Sequence, residues 1–193
     1  MSQTLCLCGL GNPGPAYAQH RHNLGAILCD SYLHSLNESY SLHRKTKVFH
    51  AIVTIGDLKV HIVRLPTYMN ESGRGLLPYL QFYQISPQKV IIIHDDLDLP
   101  FGALRFKQGG GSGGHNGLKD LTQYLKTPDY WRIRVGIGRP PEYIDVSSFV
   151  LAQLSPVEQQ AWPNILKHAQ GAWSDLIKID VVRVQQLWHS ATP

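Results

Sequence analysis

The stretch that decides the fold is KVIIIHDDLDL, residues 89–99. Residues 89–94 form a nearly continuous run of β-branched side chains, which is typical of a strand covered on both faces in the middle of a sheet. Three carboxylates, Asp95, Asp96 and Asp98, follow at the carboxyl end of this run. In open α/β sheets, ligands bind beyond that edge. The stretch therefore predicts both a central strand and the place of a functional site.

Predicted strands and helices alternate on both sides of this central run. Before it, the pattern indicates a strand at 4–10, a helix at about 23–36, strands at 48–55 and 59–65 around Gly56-Asp57, and a helix through 76–83 that starts near Asn70 or Ser72. After it come a short strand at 104–107, a helix at about 116–125 and a strand at 132–137 with one wet, positive face. A capping box at Ser155–Glu158 begins the remaining helical part, with a break or restart at Pro163. This order predicts a single α/β domain, residues 1–193, with a mixed sheet and helices on both faces.

Composition excludes several classes of protein. The chain has 193 residues, of which 43% are hydrophobic and 17% charged, as in globular rather than disordered proteins. No apolar run approaches the roughly 20 residues that span a bilayer, and the N-terminus lacks the basic segment of a signal peptide. The three cysteines, Cys6, Cys8 and Cys29, are too few for a disulfide framework. We expect a soluble, cytoplasmic protein.

Positive charge is concentrated in one part of the chain. The net charge is +4, and residues 105–139 contain seven Lys or Arg against two Asp, a local excess of +5. Such a segment is either a solvated surface or a binding surface for an anionic partner. The glycine loop in its middle, residues 109–114, opens a predicted helix, whose free N–H groups favour an anion. We expect this loop to contact phosphate or to move over a substrate rather than to be a simple connector.

Another glycine motif matches a nucleotide-binding loop only in part. Residues 9–14 follow the first strand with the GxGxxG spacing of dinucleotide-binding proteins. That motif also needs a helix that begins within the glycines and an acidic residue at the end of the next strand. Here two prolines flank the third glycine, and Asp30 falls inside a predicted helix. We interpret the motif as a turn that directs Asn12 from the end of a strand.

The three carboxylates after the central strand allow more than one chemistry. They can form a magnesium site for phosphoryl or nuclease chemistry, one of them can orient a histidine, or they can simply cap a polar loop. His22 follows the turn after the first strand. If the first strand and the central strand are parallel neighbours, His22 and Asp95 meet, and one imidazole nitrogen stays free as a base.

Asparagines recur beside the predicted turns and helix starts. Asn12, Asn70 and Asn116 each have the sequence context of a cap or turn residue. Together at one sheet edge, they can instead hold a peptide backbone and an ester carbonyl, since each amide offers both a donor and an acceptor without charge.

Six motifs taken together resemble the bacterial peptidyl-tRNA hydrolase family. They are GLGNPG at 9–14, RHN at 21–23, MNxSG at 69–73, HDDLDLP at 94–100, GGGSGGHNGLK at 109–119 and RVGIGRP at 134–140. Each motif alone is weak, but all six in the family's order are highly specific, and they cover about residues 5–155.

The resemblance implies a monomeric three-layer α/β/α sandwich around a mixed, mostly parallel twisted sheet. It implies hydrolysis of the ester between a peptide, or an N-blocked amino acid, and the terminal ribose of tRNA, which frees tRNA stalled in translation. No metal or organic cofactor is implied, and the expected partner is the acceptor arm of tRNA with its attached peptide. Some family members carry histidine where this chain has Ser112, so the role of that loop position stays open.

The resemblance also assigns roles to individual residues. His22 matches the catalytic base and Asp95 the carboxylate that orients it. The remaining matched residues are those of the peptide groove, Asn12, Tyr17, Met69, Asn70 and Asn116, and those that contact tRNA, Lys107, Arg134 and Arg105.

The implied chemistry agrees with the residue types. An aminoacyl ester is already activated, so a positioned water and a histidine base suffice, and no serine or cysteine has a nucleophile-elbow context. Basic residues give affinity for phosphates without sequence readout. Asn12 and Asn116 are the candidates for discrimination against aminoacyl-tRNA. The free ammonium group of that substrate would leave their amides without hydrogen-bond partners, whereas a peptide bond next to the ester would pair with them.

Three other functions remain possible from the residues alone, and the least favoured is a dinucleotide-dependent enzyme that uses the glycine motif of residues 9–14. The first is an RNA-binding module without hydrolysis, against which the His22 and Asp95 pair argues. The second is a metal-dependent phosphodiesterase that uses Asp95, Asp96 and Asp98, and this enzyme would lose activity on chelation.

Overall fold

The computed structural model describes residues 3–178, and within them seven strands form one mixed sheet. The strands are β1 (Gln3–Gly9), β2 (Ser41–Leu42), β3 (Phe49–Ile55), β4 (Leu58–Arg64), β5 (Val90–Asp96), β6 (Leu104–Gln108) and β7 (Trp131–Gly136). Their spatial order is β2-β3-β4-β1-β5-β7-β6. The central strands β4, β1, β5 and β7 are mutually parallel, and the pairs toward the two edges are antiparallel.

Helices cover both faces of the sheet. In the described part of the chain they are α1 (Leu24–Ser35), α2 (Ser72–Tyr83), α3 (Asn116–Leu125), α4 (Val146–Val150) and α5 (Pro156–Lys178). Helices α1, α4 and α5 contribute to one buried core, and α2 and α3 to the other. The predicted three-layer α/β/α sandwich is confirmed. None of the described helices is long and apolar enough to cross a membrane.

Strand β5 is the central strand that the sequence predicts. Ile91 and Ile93 pack into the core on the α1 side, whereas Val90 and Ile92 pack into the core beneath α2 and α3. All four side chains are fully buried. Strand β5 also runs parallel to β1, as the predicted meeting of His22 and Asp95 requires.

Helix α1 approaches the sheet so closely that glycine is required. A Cβ atom on Gly25 would collide with the carbonyl of Ile93, and one on Gly9 would collide with the carbonyl of Gly25. The N–H of Ala26 donates to the carbonyl oxygen of Leu10 at 2.9 Å. The start of α1, and the 3-10 turn Arg21–Asn23 before it, are therefore fixed against the carboxyl ends of β1 and β5.

The break predicted at Pro163 is wrong, because α5 continues through it. Proline removes the backbone donor that would bond to the carbonyl of Gln159. Both Gln159 and Pro163 are exposed, so water can satisfy the freed carbonyl. The helical structure predicted beyond residue 178 lies outside the described residues.

The wet face predicted for β7 is wrong at Arg132. This arginine is only 3% exposed, because the glycine loop of residues 109–114 covers it. The predicted alternation of basic and apolar residues in β7 is correct, but one of its cations faces a loop rather than solvent. Strand β2 and helix α4 were not predicted, since elements of two and five residues are too short to show a period.

Candidate active site

A cavity of about 740 Å³ opens at the carboxyl edge of the parallel strands. Eight of the ten residues to which the resemblance assigns a role line it, namely Asn12, His22, Met69, Asn70, Asp95, Lys107, Asn116 and Arg134. Tyr17 and Arg105 are not among the described residues that line it. The structure thus gathers segments that are more than one hundred residues apart in the chain around one cleft.

His22 and Asp95 form a buried pair on the wall of this cavity. Nδ1 of His22 lies 2.9 Å from each carboxylate oxygen of Asp95. Their exposed fractions are only 8% and 4%. Because an ionised carboxylate only accepts hydrogen bonds, Nδ1 of His22 carries a proton, and in the neutral form of the ring the lone pair is on Nε2.

His115 is a second partner of Asp95 and a site residue that the sequence motifs did not predict. Its Nδ1 accepts backbone N–H bonds from Gly117 at 3.1 Å and Leu118 at 3.4 Å, which caps the start of α3. This fixes the proton on Nε2, which donates to Oδ1 of Asp95 at 3.1 Å. A histidine directly before a predicted helix, in the motif that contains Asn116, was the signal available in the sequence.

Two histidine donors keep Asp95 ionised. Burial alone would raise the pKa of Asp95, but its interactions with His115, and then with His22, outweigh burial and hold the pKa of this carboxyl well below its usual range. The neighbouring His94 lines the same cavity, and its Nδ1 donates to the backbone oxygen of Asp95 at 2.8 Å. Burial, followed by the proximity of His115, lowers the pKa of His94 to about 3. His94 is therefore neutral at physiological pH.

Asn12 is held in one orientation. Its backbone N–H donates to Oδ1 of Asn23, and Nδ2 of Asn23 donates back to the carbonyl oxygen of Asn12, both at 2.9 Å. Its side-chain Oδ1 accepts the N–H of Met69 at 2.8 Å. Since the side-chain oxygen is occupied, Asn12 has its amide NH₂ left for a ligand in the cavity. Asn23, a residue without a predicted role, does this positioning.

The remaining groove residues differ in exposure. Met69 is buried in the wall, whereas Asn70 and Asn116 are exposed at the mouth of the cavity. Tyr17 is half-buried, and its ring contacts that of Tyr68 edge-on at 6.2 Å. Tyr68 itself lines the cavity, so Tyr17 contacts a wall residue rather than being part of the wall.

Basic residues of β6 and β7 lie on one side of the cavity. Arg105 is in register with Arg134, and Lys107 with Arg132. Nε of Arg134 donates to Asp96 at 2.7 Å, and a terminal nitrogen of Arg105 donates to the carbonyl oxygen of Leu104 at 3.0 Å. Lys107, Arg132 and Arg134 line the cavity.

The carboxylates at the carboxyl end of β5 do not converge on one point. Asp95 bonds to the two histidines, Asp96 bonds to Arg134, and Asp98 bonds to Arg139. Among the described residues, His22, Asp95 and His115 are close enough to ligate one ion. Nε2 of His115 carries a proton, however, because its Nδ1 caps α3, so this nitrogen has no lone pair for a metal. The geometry does not favour the metal-dependent phosphodiesterase.

The other chemistries considered from the sequence also lack support. Helix α1 begins at Leu24, well after the glycines of residues 9–14, and Asp30 inside it bonds to Arg64. This arrangement does not fit dinucleotide binding. The three cysteines are buried, and burial raises the pKa of each thiol, to about 12 for Cys29. No serine or cysteine within residues 3–178 is hydrogen-bonded to His22.

The fold and the cavity define an α/β-sandwich enzyme with a histidine–carboxylate pair in its cleft. A model of the family described as peptidyl-tRNA hydrolase matches residues 6–193. The chain belongs to the peptidyl-tRNA hydrolase family, and it hydrolyses peptidyl-tRNA. The resemblance seen in the six sequence motifs is confirmed.

Individual relatives agree with this assignment. A peptidyl-tRNA hydrolase of Mycobacterium sp. (strain KMS) is 41% identical over 190 residues, which cover 98% of this chain and 99% of the relative. One from Arthrobacter sp. (strain FB24) is 37% identical over 192 residues, 99% of each chain. A crystal structure of the enzyme from Acinetobacter baumannii has a TM-score of 0.91 at 34% identity and covers 100% of this chain and 98% of its own.

Proposed function

We propose that His22 acts as the general base for a water molecule that attacks the ester between the peptide and the terminal ribose of tRNA. One observation carries this proposal: Nδ1 of His22 is bonded to Asp95 at 2.9 Å, which leaves Nε2 as a base on the cavity wall. The test is hydrolysis of an N-acetyl-aminoacyl-tRNA by the wild type and by variants of this pair.

The proposed reaction proceeds by direct attack of water. Nε2 of His22 takes a proton from water as the oxygen attacks the carbonyl carbon of the ester. The imidazolium that forms is stabilised by Asp95, which stays ionised. Collapse of the tetrahedral intermediate breaks the bond to the ribose oxygen, which takes the proton back from His22. The products are a free peptide and a tRNA with an intact terminal hydroxyl.

Amides at the cavity supply the polar contacts of this proposal. The amide NH₂ of Asn12 faces a peptide carbonyl of the substrate, while Asn70 and Asn116 at the mouth contact the ester or the peptide backbone. Met69 and Tyr68 form the groove wall, and Tyr17 contacts Tyr68. Neutral donors of this kind stabilise developing negative charge on a carbonyl oxygen.

Selectivity for blocked substrates is proposed to depend on Asn12. We expect Asn12→Ala to narrow the preference for N-acetyl-aminoacyl-tRNA over the unblocked form by about 10-fold, because a donor that pairs with a peptide carbonyl opposes an ammonium group. The measurement is kcat/KM for both substrates. Asn164→Ala, at an exposed position on α5, is the matched control. If Asn12→Ala kept the wild-type preference for the N-acetylated substrate, Asn12 would not be the source of this selectivity.

Binding of tRNA is proposed to use Lys107, Arg134 and Arg105. If these residues contact three phosphates, affinity falls on the order of 10- to 50-fold between about 50 and 200 mM salt. Cleavage of bound substrate should hardly change over this range, because the reacting groups are buried from counterions. Measuring Kd and the single-turnover rate in the same salt series separates the effect of salt on binding from its effect on cleavage. A cleavage rate that falls as steeply as affinity would contradict this division.

Several broader properties belong to the same proposal. The enzyme needs no metal or organic cofactor, acts as a monomer in the cytoplasm, and consists of a single domain over residues 1–193. Its cavity receives the acceptor arm of tRNA, because the terminal ribose and the attached peptide must both reach His22. The buried His22 and Asp95 pair also favours an enzyme over a pure RNA-binding module.

A further inference from the structure

Arg132 is a buried cation whose hydrogen bonds go to the glycine loop. It lies on β7 and lines the cavity, yet it is only 3% exposed. Its two terminal nitrogens donate to the carbonyl oxygens of Gly111 at 2.7 Å and Gly110 at 2.6 Å. The ring of Tyr130 covers the guanidinium, with 4.8 Å between the central carbon and the ring centroid. Both terminal nitrogens of Arg132, which could otherwise bind a phosphate, therefore donate to carbonyl oxygens of the protein.

The loop has a backbone shape that suits this pair of bonds. Gly109 and Gly110 have φ angles of 63° and 96°, in the region that favours glycine. A Cβ atom on Gly110 would lie 3.0 Å from Nζ of Lys107. The planar fork of a guanidinium can bond to two successive carbonyls, whereas a lysine ammonium is a single point charge on a flexible stem.

Hydrogen bonds connect the glycine loop to Asp95 through His115. Gly111 to Gly114 line the cavity. The carbonyl oxygen of Ser112 accepts the N–H of His115 at 3.0 Å, and Nε2 of His115 donates to Asp95 at 3.1 Å. A continuous series of contacts therefore links Arg132, through the loop and His115, to the carboxylate that bonds to His22.

We propose that Arg132 is a positioning residue that holds the glycine loop, residues 109–114, over the cavity and so keeps His115 against Asp95, and that it does not contact tRNA phosphate. This inference rests on the proposed function of His22 and Asp95. Lys107, Arg132 and Arg134 share one strand pair and all line the cavity. Arg132 differs in that it is buried and bonds to the carbonyl oxygens of the loop.

The two roles predict different behaviour when Arg132 is replaced. A phosphate contact depends on charge, so lysine would largely restore it, and loss of the charge would reduce the slope of log Kd against log salt by about one. A residue that positions the loop depends on the guanidinium fork, so lysine would not restore it, and the slope would stay unchanged.

The experiment compares Arg132→Lys, Arg132→Met, Lys107→Met and Gly110→Ala with the wild type. We expect both Arg132 variants to lower the single-turnover rate between about 10- and 100-fold, as small misplacements of catalytic groups do. We expect their salt slopes to be unchanged and hydrogen exchange at residues 109–115 to be faster. Lys107→Met should instead reduce the slope. Gly110→Ala, at an exposed position with positive φ, should disturb the loop and reproduce the rate loss without removing charge.

Two results would overturn the inference. The first is near wild-type cleavage by Arg132→Lys together with a reduced salt slope in Arg132→Met. The second is an unchanged rate in Gly110→Ala, a variant that keeps Arg132 and changes only an exposed position of the loop. Hydrogen exchange of the loop does not depend on the reaction. A wild type that fails to cleave the substrate would therefore contradict the proposed function while still leaving the link between Arg132 and the loop measurable.

Discussion

Asp95→Asn is expected to lower kcat for an N-blocked aminoacyl-tRNA by about 10³- to 10⁴-fold, in line with the loss from the same change in a Ser-His-Asp triad. The reason is that Asp95 accepts hydrogen bonds from two histidines, His22 and His115. His115 must keep its proton on Nε2, because its Nδ1 accepts the backbone N–H groups that start α3. The single oxygen of an asparagine would pair with that proton.

The amide NH₂ of the new asparagine would then face Nδ1 of His22. This nitrogen would become the acceptor, and the proton of His22 would move to Nε2. A histidine protonated at Nε2 cannot take a proton from water, so the base would be lost although the side chain stays in place. KM should change little.

The matched control is Asp30→Asn, which removes a carboxylate that bonds to Arg64 away from the cavity. Its kcat should remain close to that of the wild type. If Asp95→Asn retained more than about a tenth of wild-type kcat, Asp95 would not set the proton position of His22.

His22→Ala is expected to lower kcat by about 10²- to 10⁴-fold, which is the usual contribution of general-base catalysis. The fold should tolerate the change, because the buried charge of Asp95 keeps its bond to His115. His22→Asn fills more of the space without providing a base and should lose as much activity. Affinity for tRNA should remain, since the proposed phosphate contacts lie on β6 and β7.

His34→Ala serves as the control, because His34 is an exposed histidine on α1. Circular dichroism and tRNA binding establish that each variant is folded. Activity in His22→Asn close to that of the wild type would show that position 22 provides no base.

Most of the fold could be predicted because its elements carry strong local signals. The β-branched run of β5 identifies a buried strand, and the glycines of residues 9–14 and 109–114 mark turns beside the sheet edge. The strand order could not be predicted, because it depends on contacts between distant segments. The pairing of β1 with β5, which brings His22 to Asp95, does not follow from the sequence of either strand.

The parts of the site that could not be predicted depend on side-chain hydrogen bonds. Nothing in the residue types shows that His115 caps α3 with one nitrogen and bonds to Asp95 with the other. Similarly, an arginine that alternates with apolar residues in a strand suggests a solvated face. The burial of Arg132 depends on loop residues that come 21 and 22 positions earlier in the chain.

The most direct test of a metal-independent histidine base is single-turnover cleavage of bound N-acetyl-aminoacyl-tRNA by the wild type and His22→Ala, each before and after treatment with EDTA. The expected result is rapid cleavage by the wild type that chelation does not slow, and a loss of at least about 100-fold in His22→Ala under both conditions. Cleavage that requires a metal and survives the substitution would contradict the mechanism and assign the chemistry to the carboxylates.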